Sequence, residues 1–185
     1  PYHLATHEHR GSASIGIAIF NKQYKSQEDI IKHADIAMYQ AKKSGRNALR
    51  FFDPKMQDVI NAHVSLEKDL RAALEKQQLH LHYQVQMNAN HQPTGAEALI
   101  RWTHPERGLV PPLQFIPLAE ETGLILPIGL WVMETACKQL KAWEGDALTR
   151  ELTISINVSA KQFFNKNFVM QVQSIIQHHS INPML

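Results

Sequence analysis

The sequence of 185 residues predicts an α/β protein, in which three strands alternate with helices and form part of a barrel. The strand prediction rests on three segments in which apolar and polar side chains alternate, at residues 79–87, 96–102 and 152–158. The helix prediction rests on apolar residues at helical spacing, near residues 112–121, 127–144 and 160–179. This order of elements favours βα units and a parallel sheet with helices on its outer face.

The second face of the predicted strands is polar. Gln84 lies on this face in the first strand, and Glu97 and Arg101 lie on it in the second. An ordinary sheet core does not accept such groups without partners. A (β/α) barrel, by contrast, places its active site at the C-terminal ends of the strands. Three strands cannot close a barrel, so we expect residues 78–185 to form only part of a barrel domain.

Residues 1–53 form a separate predicted unit. Its expected elements are a strand, a polar turn and a second strand, at residues 12–20, 21–25 and 48–52. A helix is expected between the turn and the second strand. Ser26 with Asp29 is a capping-box signature for its start, and Gly45 supplies the residue with positive φ that commonly ends a helix.

A connector helix is predicted between the two regions, at residues 54–77. Asp53 is suited to be its N-cap, and Pro54 is favoured in a first helical turn. Apolar residues then recur along one side of the helix. Because this helix lies between two strand-bearing regions, we place the domain boundary along it.

Composition excludes several classes of protein. The hydrophobic content of 44% with 19% charged residues is typical of a globular protein. A net charge of +2, without a basic stripe, gives no support for binding long nucleic acids. No apolar run approaches the ~18–20 residues of a membrane span, and no signal peptide is recognisable. The single cysteine, Cys137, excludes an internal disulfide and favours a reducing, cytoplasmic location.

Glu97 and Arg101 are the strongest local indication of a functional site. On a strand they share one face and lie about 13 Å apart along it. A carboxylate at a barrel mouth can bind a hard divalent cation, and an arginine can pair with a phosphate through two hydrogen bonds. The alternative is a structural ion pair, or two solvated residues on an edge strand.

Three further positions have two interpretations each. Asn157 ends the third strand and could ligate the same cation, or it could be the N-cap of the next helix, a role for which Ser159 competes. Gln84 could hydrogen bond a base or a phosphate, or fill a layer of the barrel. His80 and His82 could chelate a transition metal, although the sequence offers no third ligand nearby.

The second half of the chain contains three ordered runs, which are Glu97-Ala98-Leu99-Ile100-Arg101-Trp102 with His104-Pro105, residues 108–125 and residues 156–163. These runs give it a resemblance to the EAL-type cyclic di-GMP phosphodiesterases. The resemblance extends over roughly residues 66–185 and implies a TIM-like (β/α)8 barrel that binds cyclic di-GMP and hydrolyses it to linear pGpG. One departure is Val85, where the family usually has proline.

The first half contains one ordered run, residues 34–47, after the strand that contains Ile15 and Ile17. With this run it resembles the C-terminal end of a GGDEF domain, which has a nucleotidyl-cyclase-like α/β fold. The resemblance implies that Lys42 and Arg46 occupy positions that contact the triphosphate of GTP. Their spacing of four predicts that they lie on one side of a helix end.

The EAL resemblance also implies roles for individual residues. Glu97 and Asn157 would be metal ligands and thus catalytic, in a site for two Mg²⁺ or Mn²⁺ ions, while Gln84, Leu99 and Arg101 would contact the dinucleotide. The family's remaining residues include a further glutamate ligand, paired aspartates, a general-base lysine and a final glutamate. They are not among these 185 residues, so we expect this chain alone to be inactive.

Three other functions remain open at this stage. The EAL part could be a degenerate receptor for cyclic di-GMP, the protein could be a diguanylate cyclase with a regulatory EAL domain, or the chain could be a signalling linker. A homodimer formed through the EAL domain and a membrane tether upstream of this chain are also compatible with the resemblance.

Overall fold

The computed structural model describes residues 2–4, 7–9, 11–20 and 26–184, so the turn predicted at 21–25 lies outside the described residues. The chain divides into two compact units, Pro1–Val64 and Ser65–Leu185. The division falls within a helix, α2 (Pro54–Glu75), which occupies most of the segment predicted as a connector.

The first unit has two small sheets and one long helix before α2. Strands β1 (Tyr2–Leu4) and β2 (His7–His9) pair antiparallel, and strands β3 (Ile15–Ile17) and β4 (Leu49–Phe51) pair parallel. Helix α1 (Gln27–Lys43) packs against β3 and β4. The approach is close at Gly16, where a Cβ atom would lie 2.0 Å from the Ala34 carbonyl oxygen.

The predicted ends of α1 are confirmed. Ser26 is the N-cap, and its hydroxyl oxygen accepts a hydrogen bond from the Asp29 amide at 3.1 Å. The helix ends at Lys43, and Gly45 then has a φ of 107°. Helix α2 begins at the predicted place, and Asp53 Oδ1 accepts from the Lys55 amide at 2.9 Å.

The second unit is a four-stranded sheet with helices on one face. Its elements in chain order are β5 (Leu79–Met87), β6 (Pro93–His104), β7 (Gly108–Val110), α3 (Pro112–Thr122), α4 (Ile125–Trp143), β8 (Thr153–Ile156), α5 (Ala160–Phe163) and α6 (Phe168–His179). Strand β6 is central, because it pairs with β5 on one side and with β7 and β8 on the other.

The prediction of an entirely parallel sheet is wrong. Strand β8 is parallel to β6, but β5 and β7 both run antiparallel to it. Only residues 88–92 join β5 to β6, and this connection is closed by Asn88, whose amide donates to the Gln92 carbonyl at 3.0 Å. A parallel pair needs a crossover of roughly a dozen residues or more, so this short loop permits only a hairpin.

The apolar face of the sheet forms the core with the helices. Trp102 and Phe115 are fully buried and pack edge to face with ring centroids 5.6 Å apart. The Trp102 indole N–H donates to Gln78 Oε1 at 3.1 Å, so the polar atom of this buried ring is satisfied. The C-terminal part of α2 contributes Leu70 and Ala73 to the same core.

The single helix predicted at 160–179 is interrupted, and this is a second correction. Helix α5 ends at Phe163 and α6 begins at Phe168. Between them, Asn165 Oδ1 accepts a hydrogen bond from the Asn167 amide at 2.9 Å. Asparagine favours such local turns over continued helix, which explains the break.

Candidate active site

The pairing register aligns polar residues from three strands on one face of the sheet. Glu97 on β6 is directly opposite Gln84 on β5 and Ser155 on β8. Directly paired residues share a face, so these three side chains lie side by side. Along β6, Leu99 and Arg101 follow Glu97 on this face because side chains alternate along a strand.

Glu97 and Asn157 are in direct contact. The Asn157 Nδ2 donates a hydrogen bond to Glu97 Oε1 at 2.6 Å, although the two residues are 60 positions apart in sequence. Ser159 and not Asn157 is the N-cap of α5, because its hydroxyl oxygen accepts from the Gln162 amide. The structure therefore leaves the Asn157 side chain available to the polar face.

Arg101 is half-buried and does not pair with Glu97. Its Nη1 donates to the neighbouring Ile100 carbonyl at 2.9 Å, and no Glu97–Arg101 ion pair occurs among the residues that the structure describes. Strand β6 has a partner on both sides and is not an edge strand. Glu97 and Arg101 are therefore neither a structural ion pair nor two solvated residues on an edge strand.

A cavity of about 330 Å³ lies beside residues 98–101 of β6 and residues 157–159, which follow β8. Its polar lining comes from Arg101, Glu120, Asn157, Ser159 and Gln162, and its apolar lining comes largely from α3 and α4. Leu99 also lines it, whereas Glu97 contacts it only through Asn157. Three of the predicted site residues, Leu99, Arg101 and Asn157, thus meet at one cavity.

The donor set of Glu97 and Asn157 fits a hard divalent cation. A half-turn of the Asn157 amide would exchange its nitrogen for its oxygen, leaving two oxygens near the present separation of 2.6 Å. Adjacent ligands of an octahedral Mg²⁺ ion, at about 2.1 Å from the metal, lie roughly 3 Å apart. Small adjustments would therefore let both residues bind the same ion.

Other metal sites are not supported by the part of the chain that is described. No group of three or more His, Cys, Asp or Glu residues there could hold a metal ion. His80 and His82 are exposed on β5, and their partners across the strand are Arg101 and Leu99. Glu97 and Asn157 thus supply only part of a complete coordination sphere.

Lys42 and Arg46, in the first unit, are both exposed. Arg46 lies beyond the end of α1 and has a φ of 61°, and its amide donates to the Ala41 carbonyl at 3.1 Å. Helical spacing therefore does not relate these two residues, because α1 ends at Lys43, before Arg46.

Sequence reasoning missed the part played by Gln162. This side chain is only 5% exposed, and its Oε1 accepts from the Ser159 amide, which completes a capping box. The pattern of a serine followed three residues later by a glutamine is a known helix-start signature and could have identified it.

Comparison with known proteins agrees with this geometry. Residues 67–185 match the EAL domain family, and residues 1–48 match the diguanylate cyclase GGDEF domain family. The chain belongs to the EAL family. It joins part of a GGDEF domain to part of an EAL domain, whose fold is TIM-barrel-like, and the predicted fold class is thereby confirmed.

Two curated relatives illustrate the relationship. The bifunctional diguanylate cyclase/cyclic di-GMP phosphodiesterase MucR of Pseudomonas aeruginosa is 44% identical over 184 residues, which are 99% of this chain and 27% of that protein. The cyclic di-GMP phosphodiesterase PdeR of Escherichia coli K12 is 37% identical over 177 residues, 96% of this chain and 26% of that protein. This chain thus spans about a quarter of the length of each of these relatives.

Solved structures of EAL domains resemble the fold. The MucR phosphodiesterase in complex with c-di-GMP is 46% identical with a TM-score of 0.62, and the match covers 64% of this chain and 48% of that one. The EAL enzyme Bd1971 in its cGMP-bound form has a TM-score of 0.63 over 85% of this chain and 41% of that one, and at 24% identity it supports the fold alone.

Proposed function

We propose that residues 65–184 supply part of the active site of a cyclic di-GMP phosphodiesterase, which in the full-length protein forms linear pGpG. The observation that carries this proposal is the contact between Glu97 and Asn157 beside the cavity that Arg101 lines. Together these residues offer oxygen ligands for a cation and a guanidinium for a phosphate. A phosphodiester bound to metal needs both kinds of group.

EAL phosphodiesterases generally use divalent metal ions. We assign Glu97 and Asn157 to one ion of a two-metal Mg²⁺ or Mn²⁺ site, because their oxygens are hard ligands at a suitable separation. Such ions lower the pKa of a bound water and neutralise charge on the phosphodiester. Further carboxylates would have to complete the site in the whole domain.

Substrate contacts are assigned to three residues on the polar face. Arg101 is positioned to pair with a phosphate of cyclic di-GMP once its bond to the Ile100 carbonyl is exchanged. The Leu99 segment lines the same cavity, and Gln84 lies opposite Glu97, where its amide can hydrogen bond the dinucleotide. Gln84 is exposed, so it needs no rearrangement to do so.

The rest of the organisation follows from the two domain families. We assign residues 1–53 to the GGDEF part, 54–77 to a connector helix and 78–185 to the EAL part. In the GGDEF part, Lys42 and Arg46 are exposed cations that suit the triphosphate of GTP. None of the helices in the described residues is long and apolar enough to cross a bilayer. We also propose that the protein acts on cyclic di-GMP in the cytoplasm. Its EAL domain would form a homodimer.

Product analysis of the full-length protein with cyclic di-GMP tests the assignment. Glu97→Ala should lower pGpG formation by more than about 100-fold, since removing a ligand should exceed the 10–100-fold effect of changing a residue behind one. Glu151→Ala is the matched control, because that glutamate side chain is 85% exposed and lies outside the cavity. Equal turnover of Glu97→Ala and the control would refute the proposal. Binding of cyclic di-GMP without pGpG formation would favour the receptor function.

A further inference from the structure

A buried glutamine follows Asn157 by five residues and lines the same cavity. Gln162 is 5% exposed, and its backbone amide and side-chain oxygen both engage Ser159, at 3.2 Å each. These two bonds fix the first turn of α5. Because Ser159 is two residues after Asn157, they also fix the end of the short loop that carries Asn157.

Gly129 provides the space in which the Gln162 side chain lies. A Cβ atom at Gly129 would lie 1.8 Å from Gln162 Nε2, so no larger residue fits there without displacing the glutamine. Gly129 lies inside α4, where glycine is disfavoured relative to alanine. The close contact with Gln162 explains why this helix has a glycine at that position.

The loop between β8 and α5 is held from both ends. On one side, β8 is paired with β6, and Ile156 is opposite Ala98. On the other side, α5 is fixed by Gln162 and by Lys161, whose Nζ donates to the Glu120 carbonyl at 2.7 Å. Asn157 lies between these two fixed points and therefore has little freedom to move relative to Glu97.

We propose that Gln162, Ser159 and Gly129 form a latch that positions Asn157 against Glu97. The inference rests on the proposed function, because it assumes that Asn157 and Glu97 serve the reaction. Gln162 and Gly129 are positioning residues in this scheme. They act through the loop, and the property they control is the separation of the two oxygen ligands.

The test uses the full-length protein with five variants: Gly129→Ala, Gln162→Leu, Gln162→Glu, Gln162→Ala and the double variant Gly129→Ala with Gln162→Ala. Direct Mn²⁺ binding, followed by the electron paramagnetic resonance signal of free Mn²⁺, is measured beside kcat and KM for cyclic di-GMP. Gly145→Ala is the matched glycine control, because a Cβ there meets only the Ala142 carbonyl oxygen at 3.9 Å.

The latch predicts a specific pattern. Gly129→Ala and Gln162→Leu should each weaken Mn²⁺ binding by about 10- to 100-fold, the usual effect of disturbing a residue that orients a ligand. Gln162→Glu should retain more Mn²⁺ binding than Gln162→Leu, because a glutamate oxygen can also accept from the Ser159 amide. Gly129→Ala should add no further loss once Gln162 is alanine, because the clash has been removed.

Two outcomes would overturn the latch. Gln162→Leu has a side chain of similar size, so full Mn²⁺ binding by this variant would show that Gln162 only fills space. Wild-type behaviour of Gly129→Ala would show that the contact with Gln162 does not matter. Failure of the proposed function is recognised separately, because it would appear as no pGpG from the wild type or as full activity of Glu97→Ala.

Discussion

Replacing Asn157 with aspartate tests the cation site without relying on catalysis. In the metal-free protein, Asn157→Asp exchanges a hydrogen-bond donor for a second carboxylate at about the distance of the present bond, 2.6 Å. Two ionised carboxylates at that separation repel each other. A divalent cation bound between them would convert the repulsion into attraction, because both would then be ligands.

The magnitude follows from the distance. Two unit charges 2.6 Å apart repel by about 1.6 kcal/mol at the dielectric constant of water and by about 6 kcal/mol at an effective value of 20. Asn157 is exposed, so the lower figure applies, and we expect a loss of about 1–2 kcal/mol in the free energy of unfolding. For a chain of 185 residues this corresponds to a Tm lower by about 2 to 8 °C.

Thermal unfolding with a chelator and with millimolar Mg²⁺ or Mn²⁺ measures the effect. Asn157→Ala is the control, because it removes the donor and adds no charge, so the difference in Tm between the two variants isolates the repulsion. Added Mg²⁺ or Mn²⁺ should remove or reverse the difference in Tm between the two variants. A difference in Tm that metal leaves unchanged would refute the assignment of these two positions to a cation.

The remaining predictions concern stability and reactivity. Leu70→Ala should lower the free energy of unfolding by about 2–5 kcal/mol in denaturant titrations, because this side chain is fully buried. Leu113→Ala, at a side chain that is 90% exposed, should change it by less than about 0.5 kcal/mol, and equal losses would contradict the assignment of the core. Burial, with a smaller contribution from the Glu134 carboxylate, raises the pKa of the Cys137 thiol. Its alkylation at pH 8 should therefore be slower than in the denatured chain, and equal rates would show that the thiol is accessible.

The residues along each strand were predictable because their arrangement is local. Strand periodicity places Glu97, Leu99 and Arg101 on one face whatever the strand pairs with. The same holds for the cap of α1, since Ser26 and Asp29 are three residues apart and meet through backbone geometry alone.

The order of helices and strands predicts the parallel pairing of β8 with β6 correctly and the direction of β5 wrongly. The alternation of elements suggested parallel pairing throughout, yet β5 and β6 form a hairpin. The decisive quantity is the length of the connection, and residues 88–92 are too few for a crossover. Loop length was available in the sequence and carries more information about strand direction than the alternation does.

Contacts between distant residues lay beyond sequence reasoning. The bond from Asn157 to Glu97 depends on the register of β8 against β6, and a shift of one residue would place Ser155 on the opposite face. Periodicity fixes the face of a strand but does not fix its register. The contact between Gly129 and Gln162 is even harder to predict. The two residues are 33 positions apart, and nothing near Gly129 in the sequence indicates that a glutamine side chain packs against it.

The position of β6 explains why the site can be built from few residues. Strand β5 pairs with it from Pro93 to Trp102, so Glu97 and Arg101 keep a fixed separation whatever the surrounding loops do. Asn157 lacks this support, because it follows the end of β8 and is exposed. A site with one ligand on a rigid strand and another on a loop needs additional contacts that hold the loop in place. The buried Gln162 against Gly129 meets this need, and its loss should affect the geometry of Asn157 before it affects that of Glu97.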